Sequence, residues 1–243
     1  MQLLGTGRDA DVFALGPGRV LRRYRDARRS AEREARVMTH ARGAGLPVPE
    51  VFDVEGPDLV MARVEGPTMA SALVRRPWTL AAHARLLAGL HRAVHDVPGP
   101  DWLPRPFGEE AGGTALLHLD LHPENVLLTA GGPVVIDWTN AARGPAAADV
   151  ADAWLVVSVG GVPGGRVQAA VVGAGQGLFA QAFRRAAGLD LSAVLPAAAA
   201  RRLADRNLGD RERHRIGRLA RRGRAAGHPG LACSRRPGPP GPA

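Results

Sequence analysis

The sequence predicts an α+β protein with two lobes: a small N-terminal lobe of β-strands with one helix, over residues 1–66, and a larger, mainly helical lobe, over residues 67–228. Up to about residue 65, short apolar runs alternate with turn residues, which is typical of strands. After "EGP" at 65–67, apolar residues recur at helical spacing in "WTLAAHARLLAGLHRAVHDV". The change of periodicity marks the boundary between the lobes.

In the N-terminal lobe, "DVFAL" (11–15) and "RVLRRY" (19–24) flank "GPG", and this pattern predicts a β-hairpin. A helix is predicted over 27–42. The segments "VPEVFDV" and "DLVMARV" then predict two further strands.

The C-terminal lobe begins with the helix described above and continues with "TALLHLD", "NVLLT" and "VVIDW", which are strand-like. The turn residues "AGGP" at 130–133 connect the second of these segments to the third. Helices are predicted over 147–159, 167–187 and 194–222. Residues 229–243 are rich in Pro and Gly and predict a disordered tail.

The net charge of +9 lies in the last part of the chain, because residues 201–243 contain 12 Arg against three acids. No aromatic residues interrupt these arginines, so the block indicates a solvated face and not a nucleic-acid site. With the single cysteine, Cys233, no intramolecular disulfide can form. Neither a signal peptide nor a convincing membrane span is evident. We therefore expect a cytoplasmic protein without a membrane or an obligate protein partner.

A glycine-rich stretch near the N-terminus, "GTGRDADV" (5–12), fits G-x-G-x-x-G-x-V with Ala10 in place of the third glycine. A dinucleotide-binding loop would open a helix, whereas here a strand, a turn and another strand follow. Glycines between two strands allow backbone N–H groups to approach phosphates closely. An ordinary glycine turn is the alternative on this stretch alone.

Next along the chain are a basic and an acidic residue that could form an ion pair. Arg22, in "VLRRY", lies where a residue that pairs with phosphates is expected, and Glu34, in "AEREARVM", could hold it in place. Because strand side chains alternate, Arg23 should point to the opposite face. The alternative is a surface arginine and a solvated helix glutamate.

The stretch "HLDLHPENVLL" (118–128) places several polar groups between apolar runs. Asp120 could accept a proton from the hydroxyl of an acceptor, while Asn125 and Asp137 offer hard oxygen ligands to Mg²⁺. If "NVLLT" and "VVIDW" form a hairpin, the start of one strand lies beside the end of the other. Asn125 and Asp137 would then meet at one metal ion.

Together with "VVIDW", which places Asp137 17 positions after Asp120, "HLDLHPENVLL" resembles the catalytic and metal-binding loops of the protein-kinase-like superfamily. The specific resemblance is to the aminoglycoside phosphotransferase and choline kinase-like family. That family typically has a histidine, here His122, two residues after the catalytic aspartate, and Asp-Trp in the metal-binding loop. "RGPAAADVADAW" (143–154) is similar to the next helix start of the family, where Asp149 would brace the catalytic loop.

The resemblance implies a protein-kinase-like fold and an ATP- and Mg²⁺-dependent transfer of phosphate to an alcohol. Asp120 would be the base, Asn125 and Asp137 the metal ligands, and His118 and His122 would orient the loop or contact phosphate. Arg22 stands where the family has lysine, and the chain contains no lysine at all. The nucleotide would be bound by Gly5, Gly7, Val12, Arg22, Glu34 and a hinge that includes Met61, Ala62 and Val64.

The acceptor should be a small molecule. Protein kinases place a long activation segment ending in Ala-Pro-Glu after the metal-binding loop, but Asp149 follows Asp137 by only 12 residues. Two alternatives remain. Ala10 and Arg22 would suit a non-catalytic relative that binds nucleotide. A metal-dependent hydrolase could instead use His118, Asp120 and His122, which would share one face of a strand.

Overall fold

The computed structural model describes residues 1–7, 9–159, 166–205 and 208–226. Its N-terminal lobe is a five-stranded antiparallel sheet with the order β1-β2-β3-β5-β4. The strands are β1 (Gln2–Thr6), β2 (Ala10–Ala14), β3 (Arg19–Tyr24), β4 (Val51–Glu55) and β5 (Asp58–Ala62), and helix α1 (Glu32–Gly43) lies between β3 and β4 in the chain. The predicted α+β architecture is therefore confirmed.

The hairpin predicted around "GPG" is present, and Ala14 of β2 pairs with Val20 of β3. Gly16 and Gly18 have φ angles of 107° and 67°, a conformation that glycine adopts without a steric cost. Helix α1 begins five residues later than residue 27, where the sequence predicts its start. The reason is a turn, in which Asp26 accepts hydrogen bonds from the backbone and side chain of Arg28.

The C-terminal lobe contains two short antiparallel pairs, β6 (Ala115–Leu117) with β9 (Ala142–Gly144) and β7 (Val126–Thr129) with β8 (Gly132–Val135). The remaining elements are the helices α2 (Met69–Arg75), α3 (Leu80–His95), α4 (Ala146–Val159), α5 (Arg166–Ala187), α6 (Leu195–Leu203) and α7 (Asp210–Ala226). The core of the C-terminal lobe lies between these helices, where Leu87, Trp138, Leu155 and Phe183 are fully buried.

The single helix predicted over 194–222 is wrong, because α6 and α7 are separate helices. The guanidinium of Arg213 donates to the carbonyl oxygens of Leu203 and Asp205, each at 2.6 Å. These bonds satisfy backbone acceptors at the end of α6 and stabilise the break.

Within the parts of the chain that the structure describes, no helix has both the length and the apolar character that a membrane span requires. The predicted tail, residues 229–243, lies outside the described residues.

Candidate active site

A cleft of about 1280 Å³ lies between the two lobes. Pockets that hold one drug-sized ligand measure roughly 300–1,000 Å³, so this cleft has room for two substrates. Most of the residues singled out in the sequence line it, namely Gly5, Gly7, Val12, Arg22, Met61, Ala62, Val64, Asp120, His122, Asn125 and Asp137. Three others, Glu34, His118 and Asp149, are buried behind its walls.

The glycine-rich stretch joins β1 to β2 over the cleft. The N–H of Gly7 donates to the carbonyl of Ala10 at 2.8 Å, and a Cβ at Gly7 would lie only 3.0 Å from that oxygen. The guanidinium of Arg25 also donates to the carbonyl of Gly7, at 2.9 Å. Glycine at position 7 therefore allows a tight turn that a larger residue would disturb.

Arg22 is buried and contributes to the wall of the cleft. Its Nη1 donates to Oε1 of Glu34, and its Nη2 donates to Oδ1 of Asp137 at 2.9 Å. Arg23 points away from the cleft and pairs with Asp58 at the surface, as strand alternation predicts. The alternative of a surface arginine and a solvated glutamate is wrong, since Arg22 and Glu34 are 8% and 4% exposed.

These contacts set the charges of the two acids. Burial raises the pKa of Glu34, an effect that the charge of Arg22 opposes. Burial would also raise the pKa of Asp137, but the neighbouring Arg22 guanidinium holds it below its ordinary value. Asp137 is therefore ionised and available as a ligand or ion-pair partner near neutral pH.

The loop that carries Asp120 is held by a buried carboxylate. Oδ1 of Asp149 accepts a hydrogen bond from the N–H of Leu119 at 2.7 Å, and Oδ2 accepts one from the N–H of His118 at 3.0 Å. Leu119 has a φ of 57°, which costs a non-glycine residue about 1–2 kcal/mol. Asp149, supported by Nε2 of His95 at 2.9 Å, stabilises this unfavourable conformation.

His118 does not reach the cleft, so it cannot contact a phosphate there. Its ring is fully buried against Trp138, and its Nε2 lies 3.1 Å from the carbonyl of Ile136. The strand prediction for "TALLHLD" is wrong beyond Leu117, where β6 ends. Because the left-handed Leu119 breaks the alternation, the shared strand face expected for a zinc hydrolase is absent.

Asp120 projects into the cleft and is surrounded by donors. Its Oδ1 accepts a hydrogen bond from Nη2 of Arg202 at 3.1 Å and lies 3.7 Å from Nε2 of His122. Nδ2 of Asn125 donates to the Asp120 carbonyl at 2.9 Å. Burial would raise the pKa of Asp120, but His122 and Arg202 lower it well below its ordinary value. Asp120 is therefore ionised.

The sequence gives no indication of Arg202 as a site residue, because α6 reaches the cleft only through tertiary packing. Arg202 and Arg201 both donate to the carboxylate of Asp152, which is fully buried in α4. That ion pair fixes Arg202 beside Asp120. The pattern "RR" in an arginine-rich segment does not distinguish Arg202 from its neighbours.

Asn125 and Asp137 are brought together by the β7–β8 hairpin. Val126 pairs with Val135, and the N–H of Ile136 donates to the carbonyl of Asn125 at 3.0 Å. Asp137 itself lies beyond the end of β8, with a left-handed φ of 64°. Its carboxylate and the amide oxygen of Asn125 are hard donors of the kind that Mg²⁺ prefers. These two residues fit the metal that the resemblance implies.

Asp149→Asn should lower the free energy of unfolding by about 3 kcal/mol, because an amide NH₂ would replace one of two buried acceptors. The pKa of folded Asp149 is held well below its ordinary value by the neighbouring imidazoles of His91 and His95, which outweigh the effect of its burial. Its stabilisation is therefore complete above the unfolded pKa of about 3.9 and is lost progressively as the pH falls from that value through the lower folded pKa. Urea unfolding should show a large difference between the variant and the wild type at pH 7 and a smaller one near pH 3.

The matched control for this variant is Asp101→Asn, since Asp101 pairs with Arg143 at the surface. Exposed pairs contribute little, so Asp101→Asn should be close to the wild type at both pH values. Equal stability of Asp149→Asn and wild type at pH 7 would contradict the bracing role.

Comparison with known proteins gives a family match. A model described as the phosphotransferase enzyme family matches residues 1–115 and 106–189. A curated relative, a probable bifunctional tRNA threonylcarbamoyladenosine biosynthesis protein of Methanoculleus marisnigri, is 30% identical over 147 residues, which cover 55% of this chain. The chain spans only about a quarter of the length of that relative, 24%.

Solved structures share the fold at low identity. A choline/ethanolamine kinase family protein from Mesorhizobium loti has 19% identity and a TM-score of 0.53, covering 92% of this chain and 86% of the other. Aminoglycoside phosphotransferase APH(4)-Ia has 20% identity and a TM-score of 0.61, covering 90% and 92%. A thermostable mutant of that enzyme, in a ternary complex with AMP-PNP and hygromycin B, has 18% identity and a TM-score of 0.63, covering 92% and 94%.

The three TM-scores, all above 0.5, show that this chain shares the overall fold of these structures. The family model covers well over half of the 243 residues, including the glycine-rich stretch, the Asp120 loop and Asp137. The chain belongs to the phosphotransferase enzyme family.

Proposed function

We propose that the protein transfers the γ-phosphate of ATP to a hydroxyl group of a small molecule. The observation that carries this proposal is the convergence of Asp120, Asn125, Asp137 and Arg22 on one cleft that can hold two substrates. Phosphoryl transfer depends mainly on positioning and on charge stabilisation, and these four residues supply both.

The nucleotide would bind in the part of the cleft next to the sheet. The backbone around Gly5 and Gly7 would cover the phosphates, and the end of β5, with Met61 and Ala62, would contact the base. Arg22 would neutralise phosphate oxygens and remain oriented by Glu34. The ternary complex of the APH(4)-Ia mutant with AMP-PNP supports a nucleotide in this fold.

Asp120 would orient the acceptor hydroxyl and accept its proton. It is ionised, and Asn125 and Arg202 fix the loop and the carboxylate on which the acceptor would dock. Mg²⁺ held by Asn125 and Asp137 would stabilise the charge on the phosphates. His122 lies beside Asp120 and would help to orient it.

The acceptor would bind near the C-terminal helices. Helix α4 begins only nine residues after Asp137, so no long segment is available to bind a protein substrate there. That part of the cleft is lined by apolar and charged side chains: Val156, Val159, Arg202, Asp205, Leu208 and Glu212. An alcohol with polar substituents suits such a wall.

A second candidate is a relative that binds nucleotide without transferring phosphate. It is favoured by the ion pair of Arg22 with Asp137, since this cation occupies one oxygen of a proposed metal ligand. A screen of alcohols with labelled ATP and Mg²⁺ separates the two functions. Labelled product supports transfer, whereas nucleotide binding without product or ATP consumption across the library would favour the non-catalytic relative.

Arg22→Ala should raise the KM for ATP and lower kcat, because a buried charge-assisted contact with the phosphates is lost. Arg23→Ala is the matched control, since Arg23 lies on the outer face of the same strand, and it should have little effect. Steady-state kinetics check both. Equal losses in the two variants, or no loss in Arg22→Ala, would show that another group neutralises the phosphates.

A further inference from the structure

Arg22 and three neighbouring side chains form a closed ring of hydrogen bonds that joins the two lobes. The guanidinium of Arg22 donates through Nη1 to Glu34 and through Nη2 to Oγ1 of Thr139 at 3.2 Å. The hydroxyl of Tyr24 contacts Oε2 of Glu34 and lies 3.0 Å from Oγ1 of Thr139. Arg22, Tyr24 and Glu34 belong to the sheet lobe, whereas Thr139 follows Asp137 in the helical lobe.

The chemistry of the four groups fixes the direction of every hydrogen bond in the ring. Glu34 is paired with the Arg22 guanidinium as a carboxylate, which can only accept, so the Tyr24 hydroxyl donates to Glu34. The oxygen of Tyr24 then accepts from the Thr139 hydroxyl. Thr139 in turn accepts from Arg22, which has donors only. Each hydroxyl therefore donates once and accepts once, an arrangement in which the bonds strengthen one another.

The ring suits a guanidinium and not an ammonium. Arg22 uses two nitrogens of a rigid fork, one for Glu34 and the other for both Asp137 and Thr139. A lysine has a single nitrogen at the end of a flexible chain. It could pair with the acids, but it could not also hold Thr139 at the same angle. The Thr139 hydroxyl would then lose the donor that Arg22 provides and keep only its contact with Tyr24.

We propose that Thr139 and Tyr24 are positioning residues for Arg22, which lock its guanidinium in the orientation that receives the nucleotide phosphates. This inference rests on the proposed function and explains how an arginine can fill a position where the family has lysine. Thr139 acts directly on the guanidinium. Tyr24 acts through Thr139 and Glu34, and its ring also lies beside the guanidinium, with Cζ of Arg22 5.4 Å from the ring centroid.

The backbone of Thr139 has its own anchor, which makes the hydroxyl testable. Nη2 of Arg33 donates to the carbonyl of Thr139 at 2.9 Å. Thr139→Val keeps the shape of the side chain and this backbone contact but removes the hydroxyl. Thr39→Val is the control, because the Thr39 hydroxyl donates to the Ala35 carbonyl within α1 and has no contact with the ring.

The experiment is a double-mutant cycle read by calorimetric titration with AMP-PNP, with and without Mg²⁺, and by KM and kcat where transfer is measurable. Thr139→Val should weaken nucleotide binding about fivefold in the wild-type background, the loss expected for one hydrogen bond of ordinary net strength. In the R22K background the same substitution should change affinity less than about twofold, since lysine has no guanidinium for Thr139 to position. Tyr24→Phe should resemble Thr139→Val and raise KM more than it lowers kcat.

The outcomes separate this inference from the proposed function. If wild-type protein binds no AMP-PNP, both are overturned. If it binds nucleotide but Thr139→Val costs the same in both backgrounds, or costs no more than Thr39→Val, only the positioning role is overturned. Melting temperatures identify variants that unfold, and for any that do, Thr139→Ser, which restores the hydroxyl, should recover the wild-type affinity.

Discussion

Asp120→Asn should lower kcat by about 10²–10⁴-fold while nucleotide affinity remains near that of the wild type. The substitution removes the group that would take the acceptor proton but retains an oxygen that can accept from Arg202. The surrounding loop should keep its shape, because Asp149 and not Asp120 holds its backbone. Initial rates of phosphate transfer, together with calorimetric titration of AMP-PNP, measure the two effects separately.

Glu124→Gln provides the matched control for Asp120→Asn. Glu124 lies in the same loop, carries the same charge and is exposed, so its neutralisation should leave kcat almost unchanged. A kcat of Asp120→Asn within about twofold of the wild type would remove Asp120 as the base. Similar losses in both variants would instead point to a general effect of charge in the loop.

Asp137→Ala should abolish the dependence of nucleotide affinity on Mg²⁺. With Mg²⁺, we expect the variant to bind AMP-PNP at least about tenfold more weakly than the wild type, since a principal metal ligand is lost. Without Mg²⁺, the variant should bind at least as well as the wild type. The substitution removes the carboxylate that pairs with Arg22, so the Arg22 guanidinium is released and can contact the phosphates.

Titrations of AMP-PNP with and without Mg²⁺ test this prediction for both proteins. Asp53→Ala is the control, because Asp53 is an exposed acid on β4, outside the central cleft. It should keep the wild-type response to Mg²⁺. An unchanged Mg²⁺ response in Asp137→Ala would show that Asp137 does not bind the metal.

Local patterns in the sequence predict much of the fold. The "GPG" hairpin, the strands β4 and β5 and the amphipathic α3 all depend on neighbouring residues, and each is present. The break between α6 and α7 could not be predicted in this way. It depends on Arg213, whose side chain binds carbonyl oxygens that precede it by up to ten residues, and apolar periodicity does not register such a contact.

The candidate site, like the fold, could be predicted from local sequence only in part. Asn125 and Asp137 could be placed together because the predicted hairpin pairs the strands beside them, and the family resemblance added Asp120 and Arg22 to the same site. The orientation of His118 could not be predicted, since it depends on the left-handed conformation of Leu119, which no glycine marks. Contacts between distant segments, such as Arg202 with Asp120, depend on helix packing and leave no local pattern.

The buried guanidinium of Arg22 also determines how this protein can be detected. A reagent that carries a nucleotide and acylates a side-chain amine beside the phosphates needs a lysine at that place. This chain has no lysine, and a guanidinium stays protonated and is a poor nucleophile near neutral pH. Labelling of side-chain amines would therefore not detect the nucleotide proposed for this cleft, whereas a measurement of ligand-induced stabilisation would.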